Sequence, residues 1–332
     1  MDKIKFTFVS FVYNHEQYII EHLESIKYLI DNYGDDYIFN IVIGDDGSKD
    51  NSVKLISLWL ELNGNIFNNV EFIHDGINRG LPVNFERLSS YIETEYFKCL
   101  AGDDVFSNVN IFKDYQYLSN YECISAMPLF LIDGIVSEPR SHTFHMLASD
   151  IVFKNKPFIE RFKKICVSNT PSLIYNLKFL KNKKVVNYVQ SFKVTEDLPM
   201  WIKASQLYGN IKAKQLNSVH IYYRRTSGSI YLVQNKSFVD DKLRAYSDLL
   251  SMEMSFWSRF LLKNRRFCFK YEKFKFSKIL NLNYYVYMFS IIKNINVILD
   301  NFNAIDTSID SHQEHYDFLK NKSKVFKRKY LC

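Results

Sequence analysis

Three pairs of adjacent acids stand out in this chain of 332 residues: Asp45-Asp46 in "IVIGDDGSKDNS", Asp103-Asp104 in "CLAGDDVF" and Glu196-Asp197 in "VTEDLPMW". The first two pairs follow short apolar runs, so each sits where a buried strand would end. A carboxylate at such a strand tip can accept the N–H of a nucleotide base or the hydroxyls of a ribose. An acid pair on a glycine turn supplies hard oxygen ligands, which suit Mg²⁺ or Mn²⁺ held jointly with substrate phosphates. Taken alone, each pair also has a plain reading: acids and glycine terminate strands, and Asp50, Asn51 or Ser52 caps the next helix. Asp197, two residues before Pro199, reads in the same way as a helix N-cap. Neither G-x-G-x-x-G after the first strand nor G-x-x-x-x-G-K-[ST] occurs. A diphosphate would therefore need a source of positive charge other than a glycine-rich phosphate loop, and a metal ion is the candidate.

The segments that must position these acids alternate between two periods. "IKFTFVSFV" (4–12), "YIFNIVI" (37–43), "VEFIHD" (70–75) and "YFKCLA" (96–101) read as strands, while helical stripes cover 15–34, 50–64 and 82–93. Such alternation with short connections predicts an α/β fold, a mainly parallel sheet with helices on both faces. In a sheet of that kind the loops leaving the carboxyl ends of the strands line the ligand crevice. Asn14, Asp45-Asp46, Asp75 and Asp103-Asp104 all fall on that edge. Beyond it, strands are expected over 123–132 and 217–225, with helices around 157–165, 173–181 and 198–208. This second half is read as the acceptor side, which divides the chain into 1–105, 106–235 and a helical, basic region over 236–332.

Composition narrows the class. With 47% apolar residues, 28 Phe and 23 Tyr against 10 Gly and 6 Pro, the chain is neither disordered nor fibrous. Five widely separated cysteines without C-x-x-C spacing exclude a zinc ribbon or a disulfide scaffold and suit a reducing cytoplasm. The apolar run 6–12 is read as a first strand rather than a signal peptide. The net charge of +7 is concentrated: 263–278 holds seven Lys/Arg against one Glu, interleaved with Phe and Tyr. That stretch suits anionic lipid head groups or nucleic acid, and reads equally as the solvated face of a helix; no nucleic-acid module is recognisable, and no nucleic-acid partner is expected. The apolar segment 279–292 reaches 14 residues, short of the about 20 that span a bilayer, and reads as a buried or interfacial helix. His15, His74, His142, His145 and His220 show neither H-x-x-x-H nor H-E-x-x-H spacing and are read as structural.

Taken in order, "FVSFVYNHEQYI", "IGDDGSKDNS", "GINRGLPVNF", "CLAGDDVF" and "VTEDLPMWIKA" resemble the family 2 glycosyltransferases, inverting nucleotide-sugar enzymes with a GT-A fold. The resemblance implies that Asp45 and Asp46 bind the nucleotide base and ribose, approached by Asn78 and Arg79 and by Val12 and Asn14 at the end of the first strand. It places the metal-binding acid at Asp103, beside Gly102 and Asp104, and the general base at Asp197 within the Glu196-Asp197 pair. Arg224 or Arg225 is expected to assist the leaving diphosphate through bidentate contacts, and Trp201 to stack on an acceptor sugar. Ala101, Val12 and Thr226 stand where the family commonly has an acid, a threonine and a histidine.

The activity implied is metal-dependent transfer, with Mn²⁺ or Mg²⁺, from a UDP-sugar to a saccharide or lipid-linked saccharide in surface polysaccharide assembly of the O-antigen or capsule type. The chain would work in the cytoplasm at the inner membrane surface, with 263–292 as a peripheral contact. The alternative is a non-catalytic sugar-nucleotide-binding protein of the same fold.

Overall fold

The structure, a computed structural model, describes residues 3–176, 178–225, 235–272, 274, 276–305 and 308–331. Thr226, Lys273, Lys275 and Cys332 of the sequence reading lie outside the described residues.

β1 (Ile4–Val12) is flanked in parallel by β2 (Tyr37–Asp45) and β4 (Tyr96–Ala101), and β3 (Asn69–Ile73) lies outside β2. Because β1 is buried on both faces, it is apolar nearly throughout. Phe6 and Phe8 point into one core, packed against Ile19 and Leu23 of α1 (Ile19–Tyr33) and Trp59 of α2 (Ser52–Asn63). Val9, in the opposite phase, points into a second core with Phe85 and Leu88 of α3 (Leu81–Ser89).

The sheet continues through β8 (Leu173–Asn176), β6 (Cys123–Ile132), β9 (Ala213–Arg224) and β5 (Val105–Phe106), in the order β3-β2-β1-β4-β8-β6-β9-β5, with β7 (Ile135–Ser137) beside β6. Register sets the working edge: Val12 pairs with Asp45 and Phe11 with Ala101, so three strand ends finish level. β8 runs antiparallel to β4, which brings its amino end, and Thr170–Ser172 before it, to that same edge.

The remaining helices are α4 (Arg140–Phe153), α5 (Ile159–Lys163), α6 (Lys178–Lys181), α7 (Lys183–Gln190), α8 (Asp197–Tyr208), α9 (Lys236–Leu250), α10 (Phe256–Lys270), α11 (Leu282–Lys293), α12 (Ile295–Asn303) and α13 (Ile309–Tyr330). The last five share their cores with earlier elements. Tyr246 and Leu249 of α9 pack with Ile202 of α8, Tyr287 and Ile291 of α11 with Ala148 of α4, and Tyr316 and Leu319 of α13 with Val105 and Met127. No helix among the described residues is long and apolar enough to cross a membrane.

Two elements differ from expectation. The helix expected over 173–181 is instead strand β8 followed by the short α6. Leu173, Ile174 and Tyr175 are all buried between β4 and β6, and a short apolar run of that kind carries no period to separate strand from helix. β9 begins at Ala213, ahead of the expected 217, because Ala213 pairs with Cys123 and extends the ladder backwards.

Candidate active site

The turn after β2 is built by its own acids. Asp45 Oδ1 accepts from the backbone N–H of Gly47 at 3.0 Å and of Ser48 at 2.9 Å, which closes the turn. Gly47 holds φ of 79°, and a Cβ there would lie 2.7 Å from Asn78 N, so glycine is required both for the backbone and for the approach of the next loop. Asp46 holds that next loop: its two oxygens accept from Arg79 N at 2.8 Å and Gly80 N at 2.9 Å. The loop after β1 is laced to the same turn, since Asn14 N donates to Ser48 Oγ and Asn14 Oδ1 accepts from Lys49 N, each at 2.8 Å. Asp45 Oδ2 is then buried with no hydrogen-bond partner among the described residues, on a residue only 1% exposed. A buried carboxylate oxygen without a donor is costly, and this one faces the turn where three loops converge.

At the end of β4, Gly102 lets the strand tip close on its neighbours: a Cβ there would meet Ile19 at 2.9 Å and His15 Nδ1 at 3.1 Å. Asp103 follows, with a quarter of its side chain exposed and its carboxylate 3.9 Å from His15 Nε2. Asp104 turns the other way. It is buried and accepts the backbone N–H of Arg224 at 2.7 Å, while desolvation and the Asp103 charge hold its carboxyl well above the usual range.

The third pair lies at the start of α8. Lys98, buried in β4, donates to the carbonyls of Pro171 and Leu173 and so pins the segment leading into β8. Thr170 in that segment donates its hydroxyl to Asp197 Oδ2 at 2.8 Å, and Asp197 Oδ1 accepts from Leu198 N at 2.6 Å. Glu196 is half-buried; burial, then the adjacent Asp197, pushes its carboxyl from 4.5 up to about 8. It lies close enough to β4 to act electrostatically on the Cys99 thiol. Asp241 of α9 holds the approach to this pair. Its buried carboxylate accepts from the backbone N–H of Lys193, Val194 and Thr195 at 2.8–3.2 Å. The carbonyl of Lys193 comes within 3.5 Å of where a Gly80 Cβ would stand, so the loop carrying Glu196-Asp197 abuts the loop held by Asp46.

The structure thus gathers Asn14, Asp45, Asp46, Asn78 and Arg79 at one end of the edge and Gly102 with Asp103 at the adjoining strand tip, with Glu196 and Asp197 beside β4. Four side chains do not take the positions expected. Val12 is a core residue, 1% exposed, whose carbonyl accepts from Asp46 N at 2.9 Å, so it offers a ligand nothing. Arg224 is consumed internally by Glu21 and the Asp103 carbonyl. Asp104 is buried, and its Oδ1 accepts from Arg224 N. Trp201, 3% exposed, stacks on Tyr175 at 5.6 Å and meets Phe158 and Phe179 edge-on; the apolar flank of α8 captured the ring, and no sugar face remains. Arg225 lies over the Phe130 ring at 4.8 Å. Trp201→Ala is expected to lose about 3–5 kcal/mol of stability in denaturant titrations, whereas Trp201→Phe, which keeps the packing, leaves the acceptor KM unchanged.

Sequence reasoning read His15 as structural and did not reach Thr170 or Asp241. His15 carried a signal, its place directly after Asn14 at the end of β1; the other two act through tertiary contacts with no local mark.

A family model described as glycosyl transferase family 2 matches residues 7–187. Among solved structures, the chain is similar to TarS 1–349 of S. aureus, at 14% identity over 96% of this chain and 92% of that one, with a TM-score of 0.56. TarS 1–349 in complex with UDP-GlcNAc aligns at 13% identity over 97% and 92%, with a TM-score of 0.55. The mannosyltransferase PcManGT from Pyrobaculum calidifontis, in complex with GDP-Man and Mn²⁺, aligns at 9% identity over 99% of this chain and 88% of that one, with a TM-score of 0.60. At these identities the structural likenesses show a shared fold. No protein of curated function matches the chain by sequence.

Proposed function

Because the chain belongs to glycosyl transferase family 2 and is a glycosyltransferase of GT-A fold, we propose that it moves a sugar from a nucleotide-diphospho-sugar, a UDP-sugar, to a saccharide or lipid-linked saccharide acceptor. The setting that fits is surface polysaccharide assembly of the O-antigen or capsule type, at the inner face of the cytoplasmic membrane. The observation that carries the reading is the unequal use of the acids on one sheet edge. Both oxygens of Asp46 and Oδ1 of Asp104 are taken by backbone N–H groups, while Asp45 Oδ2 and the Asp103 carboxylate accept no hydrogen bond among the described residues.

In this reading Asp45 Oδ2 accepts the N–H of the nucleotide base, with Asn78 and Arg79 beside it. Asp103, with His15 next to it, fits a divalent cation only as a partial cage, since no group of three His, Cys, Asp or Glu that could hold a metal occurs among the described residues. Mg²⁺ and Mn²⁺ accept such a site when substrate phosphates complete the shell. The ion would supply charge stabilisation to the departing diphosphate. The similar structures hold UDP-GlcNAc, UDP, and GDP-Man with Mn²⁺, which supports a nucleotide-sugar donor and a divalent cation.

The acceptor hydroxyl attacks the anomeric carbon opposite the leaving nucleotide, in one displacement with inversion, and Asp197 takes its proton. Glu196 does not compete at neutral pH, because it keeps its own proton up to about 8. The Thr170 hydroxyl and the Leu198 N–H orient the Asp197 carboxylate. A carboxylate is a weak base toward a sugar hydroxyl, so proton transfer comes late and placement counts for more than basicity. A panel of UDP-, GDP- and dTDP-sugars, read by donor hydrolysis and thermal stabilisation with Mn²⁺ and with chelator, tests the reading. Stabilisation by UDP-sugars with Mn²⁺ is the expected result, and no response to any of them would overturn it.

Glu196 also makes a stability prediction. Its carboxyl titrates near 4.5 in the unfolded chain and at about 8 when folded, so the folded state binds the extra proton between those values. The contribution is fully present below the unfolded value and is lost as pH rises through about 8. Glu196→Gln is expected to flatten that part of the stability–pH curve, measured by urea melts from pH 5 to pH 9.

A further inference from the structure

Two of the helices that follow the sheet, tied to one another, each expose aromatic side chains. On α10 and the turn after it, Phe256, Phe260, Lys263, Phe267, Lys270 and Phe274 recur at steps of three and four, which places them along one face. Phe256 is 85% exposed, Phe267 57% and Phe274 68%. The opposite face, Leu261, Leu262 and Cys268, is buried. α11 repeats the arrangement: Tyr285, Phe289 and Ile292 are exposed, while Asn283, Tyr287 and Ile291 are buried. Asn264 ties the two helices, donating to Leu280 O at 3.0 Å and accepting from Leu282 N at 2.8 Å. The intervening turn adds Phe276 at 71% exposed and Ile279 at 60%. Isolated exposed apolar residues are ordinary, but this many on two adjoining helices and the turn between them mark an interaction surface.

Its charge identifies the partner. A hollow of about 370 Å³ beside the aromatic face is lined by Lys263, Arg266 and Lys270 together with Phe267 and Tyr271. Three cations around one hollow suit a phosphate, and lysines alternate with rings along the same helix face. A second copy of the chain would bring the same cations against these. An anionic bilayer supplies both complements, an apolar boundary for the rings and phosphates for the cations.

We propose that the α10–α11 face docks on the surface of an anionic phospholipid bilayer and lies in its interface. The inference is independent of the donor and acceptor assigned above, since it concerns a face remote in sequence from every acid of the site. The test is flotation of the full chain with vesicles of phosphatidylcholine alone or with one third phosphatidylglycerol. Cofloating with the anionic vesicles, weakened by salt, is expected. Phe256→Ser combined with Phe267→Ser, and separately Lys263→Glu combined with Lys270→Glu, each lowers the bound fraction at least tenfold at unchanged Tm, because all four side chains are exposed. Equal binding to both vesicle types, no binding to either, or a dimer in size-exclusion chromatography that the Phe variants dissolve would each overturn the proposal.

Discussion

Asp197→Asn is expected to lower kcat by a factor of about 10²–10⁴, the usual contribution of a positioned general base, with donor-induced thermal stabilisation unchanged. The substitution is isosteric, and the Asn carbonyl can still accept from the Leu198 N–H or the Thr170 hydroxyl, so the loop keeps its place. What it removes is the capacity to take a proton. In the variant Glu196 loses the Asp197 charge that helps to raise its carboxyl, but burial still holds it above the usual range; raising the assay pH gives the variant a partial recovery that the parent does not show. Initial rates with a saturating donor separate the outcomes, and a variant within a few-fold of the parent would remove Asp197 from the chemistry.

The second large effect is on stability. Arg224 Nη2 meets Glu21 Oε2 at 2.6 Å with both side chains under a tenth exposed, Nε donates to Asp103 O at 2.6 Å, and the guanidinium lies 4.1 Å from the centre of the Tyr18 ring. Arg224→Met leaves the Glu21 carboxylate buried without its cation, and breaking a buried pair from one side costs about 3–5 kcal/mol. Urea melts should show a loss of that size, largely recovered in Arg224→Met combined with Glu21→Leu, where neither charge is left alone. A diphosphate-binding arginine would behave in the opposite way, with stability kept and donor affinity lost.

These two residues show where the sequence is legible and where it is not. β1 and β4 can be bounded to the residue from apolar runs alone, because strands buried on both faces admit little else. The α/β alternation likewise declares the sheet and its loop edge. The acids can be found by type and by their position after a strand. Which way a side chain turns is another matter. Asp45 and Asp46 are chemically alike and adjacent, yet Asp45 closes its own turn through Gly47 and Ser48 while Asp46 holds the Arg79–Gly80 loop. Arg224 is bonded to Glu21 and the Asp103 carbonyl while Arg225 lies over the Phe130 ring, and Trp201 was captured by a core formed with Phe158, Tyr175 and Phe179, elements whose packing no local pattern announces. Asp241, far along the chain from the loop that it holds, leaves no trace in any window of sequence.

The grip of Asp241 on Lys193, Val194 and Thr195 also bears on where the chain can be shortened. A polypeptide ending at 235 keeps every acid of the edge, but it strips the acceptor from three consecutive backbone N–H groups directly ahead of Glu196-Asp197, and it takes away Tyr316, whose hydroxyl donates to Glu21. The stretch that carries the motifs therefore leans on α9 and α13: the helical, basic region read over 236–332 supplies part of the frame around the Glu196-Asp197 loop and Glu21.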